Sequence, residues 1–209
     1  MKVIIGIAVV IMWSATPSLY AAKANYCGEI KLGPTSGDYT NSEDKANKLG
    51  VVEAFHFTPE VENLVKGASG YIGADLSYTL EHFPNHHRAL AAIAKLSLRD
   101  KTVKPKGATY TVGCFFERAI RFKPTDAMVR MVYGNYLLKT EQTSKATEQF
   151  QIAVELEPEN PTINYNLGLL YMKKKDYEQA NVYAKKAYEL GFPLPGLKNQ
   201  LMQAGKWEE

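Results

Sequence analysis

The sequence predicts an all-α fold of stacked helix pairs, and three observations carry that prediction. The second half repeats itself: laid over residues 161–194, residues 127–160 bring Gly134 onto Gly168, Ala146 onto Ala180 and Ala153 onto Ala187. Each copy holds two segments with the apolar period of a helix. "DAMVRMVYGNYLLK" and "PTINYNLGLLYMKK" read as first helices, "TSKATEQFQIAVELE" and "DYEQANVYAKKAYEL" as second helices. Each copy closes at a breaker, Pro158 in one and Phe192–Pro193 in the other. Gly inside a helix costs about 1 kcal/mol relative to Ala, so its recurrence at one register predicts a close helix–helix approach. A helix pair of this kind leaves an apolar face uncovered, so the pairs must stack.

Taken in order, the chain opens with Lys2, the apolar run Val3–Trp13, Pro17 and then small residues. That order reads as a secretory signal peptide over residues 1–24, cleaved after Ala21 or Ala24. The run is too short for a membrane span, which needs about 20 apolar residues, so no integral membrane segment is expected after cleavage. No lipobox precedes Cys27. Lys2 and Lys23 belong to the leader, so most of the formal charge of +3 leaves with it. A nearly neutral remainder gives no electrostatic reason to expect nucleic acid or an anionic membrane as partner.

Residues 25–57 show no helical period and read as an irregular N-terminal segment, with turns at Gly33–Pro34 and Ser36–Gly37 and "LGVVEAFHF" as a short extended stretch. Cys27 and Cys114 are the only cysteines. An even count in an exported chain predicts a disulfide that pins this segment onto a helix. Closing a loop of about 90 residues is worth about 4 to 5 kcal/mol in the chain-entropy account. Neither cysteine sits in a C-x-x-C motif, and no third thiol completes a metal site.

The helical domain is expected over residues 58–209. "TPEVENLVKG" reads as an opening helix with Thr58 as N-cap, Pro59 in the first turn and Gly67 as its stop. "SGYIGADLSYTLEHFP" follows as a second helix ending at Pro84, and "NHHRALAAIAKLSL" as the next first helix. "RDKTVKPKGATY" is a long loop. "YTVGCFFERAIRFKP" is the second helix of that unit, because Phe116, Ala119 and Pro124 fall on Phe150, Ala153 and Pro158. Repeats 127–160 and 161–194 come next, and an amphipathic helix over about 195–207 covers the last of them.

"EHFPNHH" holds His82, His86 and His87 beside Glu81, a cluster that invites a metal or acid–base reading. Pro84 stands where Pro124 and Pro158 stand, so the stretch is first a junction between repeats. Asn85 is the expected N-cap of the helix that follows, and His82 suits a C-terminal helical turn. His86 and His87 are neighbours on a helix and point about 100° apart. The spacing fits no standard zinc pattern, so neither metal nor cofactor is expected. His56 with Glu53, Glu60 and Glu62 could form an acid–base pair but reads as a solvated turn. The chain holds no nucleophile elbow, phosphate loop, H-E-x-x-H or dinucleotide fingerprint, which points away from an enzyme.

The repeat resembles the tetratricopeptide repeat of about 34 residues: a large residue, then Gly, Tyr, Ala, Phe, Ala and a closing Pro. Arg130 and Asn164 replace its usual Trp. The whole chain is also similar to small exported repeat proteins of Gram-negative bacteria. The resemblance implies a right-handed α-solenoid whose concave face, lined by first helices, binds an extended peptide or partner helix. The groove positions it implies are Met128, Met131, Asn135, Leu138 and Lys139, then Thr162, Tyr165, Asn166, Leu169, Met172 and Lys173. Asn135 and Asn166 match positions used by repeats that clamp a peptide carboxylate, but Met131 stands where such clamps have Lys. Met and Tyr suit an adaptable groove instead. The expectation is a periplasmic, non-enzymatic adaptor acting in assembly of an envelope or secretion complex. The alternatives are an enzyme at His82, His86 and His87, or a structural subunit of an obligate complex.

Overall fold

The computed structural model describes residues 26–207, and every regular element among them is helical. The expected signal peptide and its cleavage sites lie outside the described residues. After an irregular stretch, α1 (Ser42–Asp44) runs through a π-helical turn (Lys45–Leu49) into α2 (Gly50–His56). Then come α3 (Pro59–Glu62), α4 (Ile72–His82), α5 (His87–Arg99), α6 (Val112–Phe122), α7 (Ala127–Lys139) and α8 (Thr143–Leu156). The chain closes with α9 (Pro161–Lys173), α10 (Tyr177–Glu189) and α11 (Gly196–Gln203). No helix of the described residues is long and apolar enough to cross a membrane.

The helices stack as pairs. First helices α3, α5, α7, α9 and α11 each touch the next, forming one layer, while α4, α6, α8 and α10 pack behind them. Two apolar clusters fill the space between the layers. One gathers Leu76, Leu80, Leu90, Ile93, Phe115 and Phe116, the other Phe150, Ile163, Leu167, Leu170, Leu197 and Leu201. α7 serves both, giving Val129 and Tyr136 to the first and Met131 and Leu137 to the second. It is therefore the joint that makes the two halves one array.

The two repeated glycines have the close approach their recurrence predicts, though against different partners. A Cβ on Gly134 would lie 2.9 Å from the Phe150 ring on α8. At the equivalent position of the next repeat Phe150 becomes Ala184, and the vacated volume is filled by Leu197 of α11, 2.5 Å from a Cβ on Gly168. The capping helix thus replaces a missing aromatic ring rather than only covering a surface.

The ends of the first helices repeat as well. Lys101, Glu141 and Lys175 follow α5, α7 and α9 in the left-handed region. Each is bracketed by the same pair of bonds, as in Glu141 N–H to Leu138 O and Gln142 N–H to Leu137 O. None of the three is Gly, so the composition gives no stop signal there. The recurrence makes α5 a repeat first helix despite the long loop after it.

Three expectations need correction. Residues 42–56 are helical, not irregular or extended. Asn41 Oδ1 accepts from the Glu43 and Asp44 N–H groups (2.8 and 3.1 Å), starting the helix. The π turn then shifts the register, and only Leu49 and Val52 are buried, against Phe83, so no clean helical period shows. α3 ends at Glu62, ahead of Gly67, because Leu64 turns left-handed (φ 60°) and its carbonyl accepts from Arg99 Nη1 at 2.7 Å. His86, not Asn85, is the N-cap of α5.

Candidate partner-binding groove and the histidine junction

Side chains at helical spacing form one stripe along each first helix. On α7 the stripe is Met128, Met131, Asn135, Leu138 and Lys139; on α9 it is Thr162, Tyr165, Asn166, Leu169, Met172 and Lys173. α7 and α9 pack side by side, so the stripes are adjacent. Contacts run between them: Asn166 Nδ2, which donates to Thr162 O within α9 at 2.8 Å, lies 3.6 Å from Met131 Sδ of α7. Lys173 Nζ donates to Leu138 O at 3.2 Å. Asn160, the N-cap of α9, sits 3.8 Å from Met128 Sδ. Met128, Leu138, Leu169 and Met172 are half-buried, giving an apolar floor with a flexible thioether at each end.

Two of the eleven positions make packing contacts. Met131 is only 6 % exposed and belongs to the core. Tyr165 stacks on Phe192 with ring centroids 3.9 Å apart, and its hydroxyl blocks the space over Gly196. Met131 packs against α9 of the next repeat, and Tyr165 against Phe192 at the end of its own repeat and Gly196 of α11. On α5 the same stripe carries Arg88, Ala91, Lys95, Leu98 and Arg99, which the long loop hid from repeat alignment.

The N-terminal segment lies away from the stripes of α7 and α9, and Glu53 of α2 reaches the α5 stripe at Arg88. The Cys27–Cys114 disulfide, with Cα atoms 5.0 Å apart, fastens it to α6. Arg118, 3 % exposed, donates to the carbonyls of Cys27 and Glu29 at 3.1 and 2.8 Å, and Arg121 to Gly28 O at 2.8 Å. The strap then passes the end of α4, where Gly37 N–H donates to His82 O at 3.0 Å. It therefore runs over second helices rather than along the stripe of α7 and α9.

The strap ends on the histidine junction. Asn85, fully buried, accepts from Tyr39 N–H at 2.9 Å and donates to Asp38 Oδ1 and Asp126 Oδ2 at 2.7 and 2.9 Å. It thereby ties strap, junction and the N-cap of α7 together, which is why it does not cap α5. His86 takes the capping role: Nδ1 accepts from Ala89 N–H at 3.1 Å, and Nε2 donates to Glu53 of α2 at 3.0 Å. Burial, partly offset by Glu53, lowers its pKa below 6.5 and keeps it neutral, as a nitrogen acceptor must be. His87 Nε2 reaches both oxygens of Asp126 at 2.9 Å. Burial would raise the pKa of Asp126, but the bonds from His87, Asn85 and Val129 N–H hold it below the carboxylate range.

His82 bonds Tyr78 O at 2.9 Å in the last turn of α4. Tyr78 stacks on both His82 and His56, with centroids 4.1 and 3.8 Å away. The two imidazoles therefore lie on opposite faces of one phenol ring. His56 bonds Asp75 at 3.0 Å, not Glu60 or Glu62. Among the described residues no three His, Cys, Asp or Glu side chains come together as metal ligands would. These are the contacts of a structural joint.

Comparison with known proteins agrees with this geometry. A "TPR repeat" family model matches residues 134–175, and a "Tetratricopeptide repeat" model matches residues 161–190. No curated protein sequence matches the chain. Among solved structures, PilF of Pseudomonas aeruginosa aligns at 21% identity with a TM-score of 0.52, over 75% of this chain and 67% of that one. MamA of MSR-1 aligns at 18% identity with a TM-score of 0.45, over 68% of this chain and 74% of that one. At these identities the likeness to PilF speaks for the fold alone.

Proposed function

Because this chain carries tetratricopeptide repeats from residue 134 to residue 190, we propose that it is an adaptor which holds an extended segment of a partner protein against its first-helix layer. The observation that carries this reading is the unbroken surface over α5, α7 and α9. Asn135, Leu138 and Lys139 stand beside Asn166, Leu169 and Lys173, and no element of the described chain covers them. An extended segment needs partners for its own backbone groups, and Asn135 and Asn166 can both donate and accept. The Met and Leu positions supply contact area without a fixed shape.

Export into an oxidising compartment of the envelope is the second part of the proposal. The charged, apolar, small-residue order of residues 1–24 supports it, as does the pairing of the only two cysteines, since disulfides persist in such compartments. There the adaptor would act in assembling an envelope or secretion complex.

The test is site-specific photocrosslinking. A photoreactive residue at Asn135 or Leu169 is expected to capture one protein, and the same residue at Val182, 53% exposed on α10, to capture none. Adducts formed from Val182 and not from the stripe would sink the groove reading.

A further inference from the structure

Beyond α3, which carries Glu60 and Glu62, the first helices are free of acidic residues. α5, α7, α9 and α11 contain no Asp or Glu at all, although the chain has 22. Every second helix carries at least one, among them Asp75, Glu117, Glu148, Glu155 and Glu178. The cations are not segregated this way: the same four first helices hold Lys95, Arg99, Lys139, Lys173 and Lys198. In a chain of formal charge +3, the first helices from α5 onward are thus basic by the exclusion of acids, which a solvated surface does not require.

Lys95, Lys139 and Lys173 belong to the exposed stripes, and among the described residues none of them has a carboxylate within ion-pair distance. The end of the layer shows what such a position accepts. On α5, Arg88 already holds a carboxylate from the neighbouring element: its Nε donates to Glu62 Oε1 of α3 at 2.8 Å, and Nη1 reaches Glu53 at 3.3 Å. Glu62 is held below the usual carboxylate range, first by the Arg88 hydrogen bond. Lys95, on the same helix, also feels the Glu62 charge without touching it, whereas Lys139 and Lys173, at equivalent positions of α7 and α9, have the cation without the acid.

We infer that the groove selects an acidic extended peptide, its carboxylates spaced along Lys95, Lys139 and Lys173 and its apolar side chains on Leu98, Leu138 and Leu169. This rests on the groove reading above and adds the chemistry of the partner. It differs from a terminal-carboxylate clamp, because the cations form a row across three repeats instead of closing on one chain end. Charge complementarity of this kind favours encounter and register, and it weakens with salt.

The experiment measures binding of the chain to a labelled peptide alternating Glu with Leu, to its counterpart with Gln for every Glu, and to a single-stranded oligonucleotide. The Glu peptide is expected to bind about tenfold tighter than the Gln peptide, roughly what three exposed ion pairs supply. The combined variant Lys95→Gln, Lys139→Gln, Lys173→Gln is expected to lose that difference and most of the salt dependence while melting at the unchanged temperature. Equal binding of the two peptides, no binding of either, or full affinity in the triple variant would overturn the inference. So would tighter binding of the oligonucleotide, which would make the layer a nucleic-acid surface. If crosslinks from Asn135 and Leu169 persist while the peptides fail to discriminate, the groove reading stands and only the acidic partner falls. If those crosslinks are absent, both fall.

Discussion

At the scale of single residues, the junction between α4 and α5 shows how a polar cluster that looks catalytic in sequence is tied into the fold. His86 has one nitrogen on Ala89 N–H, the other on Glu53, and a ring stacked on Tyr39 at 4.1 Å. Those contacts are compatible only with the neutral imidazole, so acid works against them. With the folded pKa below 6.5, the unfolded chain takes up the proton first as pH falls. The contribution of His86 is therefore fully present above about pH 6.5 and lost as pH drops below it. The carboxylates of Asp38, Asp75 and Asp126 act in the same direction at lower pH. Burial opposes their ionisation, but Lys123, Asn85 and Thr40 hold Asp38 at about 2, and Asp75 and Asp126 are likewise depressed. Urea denaturation at stepped pH is expected to show stability flat above neutrality and falling below it. His86→Asn, which can still cap α5 but cannot be protonated, is expected to remove the first step and leave the carboxylate step. His86→Ala, with no cap, is expected to cost about 1 kcal/mol at neutral pH.

At the scale of elements, helix ends and helix contacts were legible to different degrees. Gly134 and Gly168 announced close contact by recurring in alignment, yet only the structure shows that one faces Phe150 and the other Leu197. Gly134→Ala is expected to destabilise the chain by about 1 to 3 kcal/mol through overpacking against the Phe150 ring. Adding Phe150→Leu to that variant is expected to return part of the loss, as read by thermal melting. A full loss retained in the double variant would show that the contact is not the cause. The left-handed residues Lys101, Glu141 and Lys175 were silent in composition, because a stop without Gly leaves no mark. α1 and α2 were silent for another reason: their π turn breaks the 3.6-residue period, and Val51 and Phe55 stay exposed, so no single apolar face marks the helix.

For the whole molecule, the disulfide and the strap decide how the N-terminal half is held. Residues 26–41 contribute few core side chains, and their attachment is polar: Arg118 and Arg121 on backbone carbonyls, Asn85 on Tyr39, Lys123 on Asp38 at 2.6 Å. Such contacts form only once the segment is nearby, and Cys27–Cys114 keeps it nearby. Replacing both cysteines by Ala is expected to lower stability by up to about 4 kcal/mol. Limited proteolysis is then expected to cut ahead of Pro59 first and to leave the paired helices α7 to α10 intact. Simultaneous loss of both regions would mean that the strap and the repeats unfold as one unit.

The sequence by itself determined the helix pairs, the register that equates residues 127–160 with 161–194, the pairing of the two cysteines, and the junction around Pro84. Those features are written as periodicity, recurrence and small residues, which act locally or between neighbouring repeats. Only the tertiary structure decided which groove positions face outward. Met131 and Tyr165 carry the same stripe pattern as Asn135 and Leu169, but the core takes one and Phe192 covers the other. It also decided that His86 rather than Asn85 caps α5, since Asn85 is claimed by Asp38, Tyr39 and Asp126. Those partners lie about 40 or more residues away along the chain, and burial leaves each polar atom a single place to find its bond.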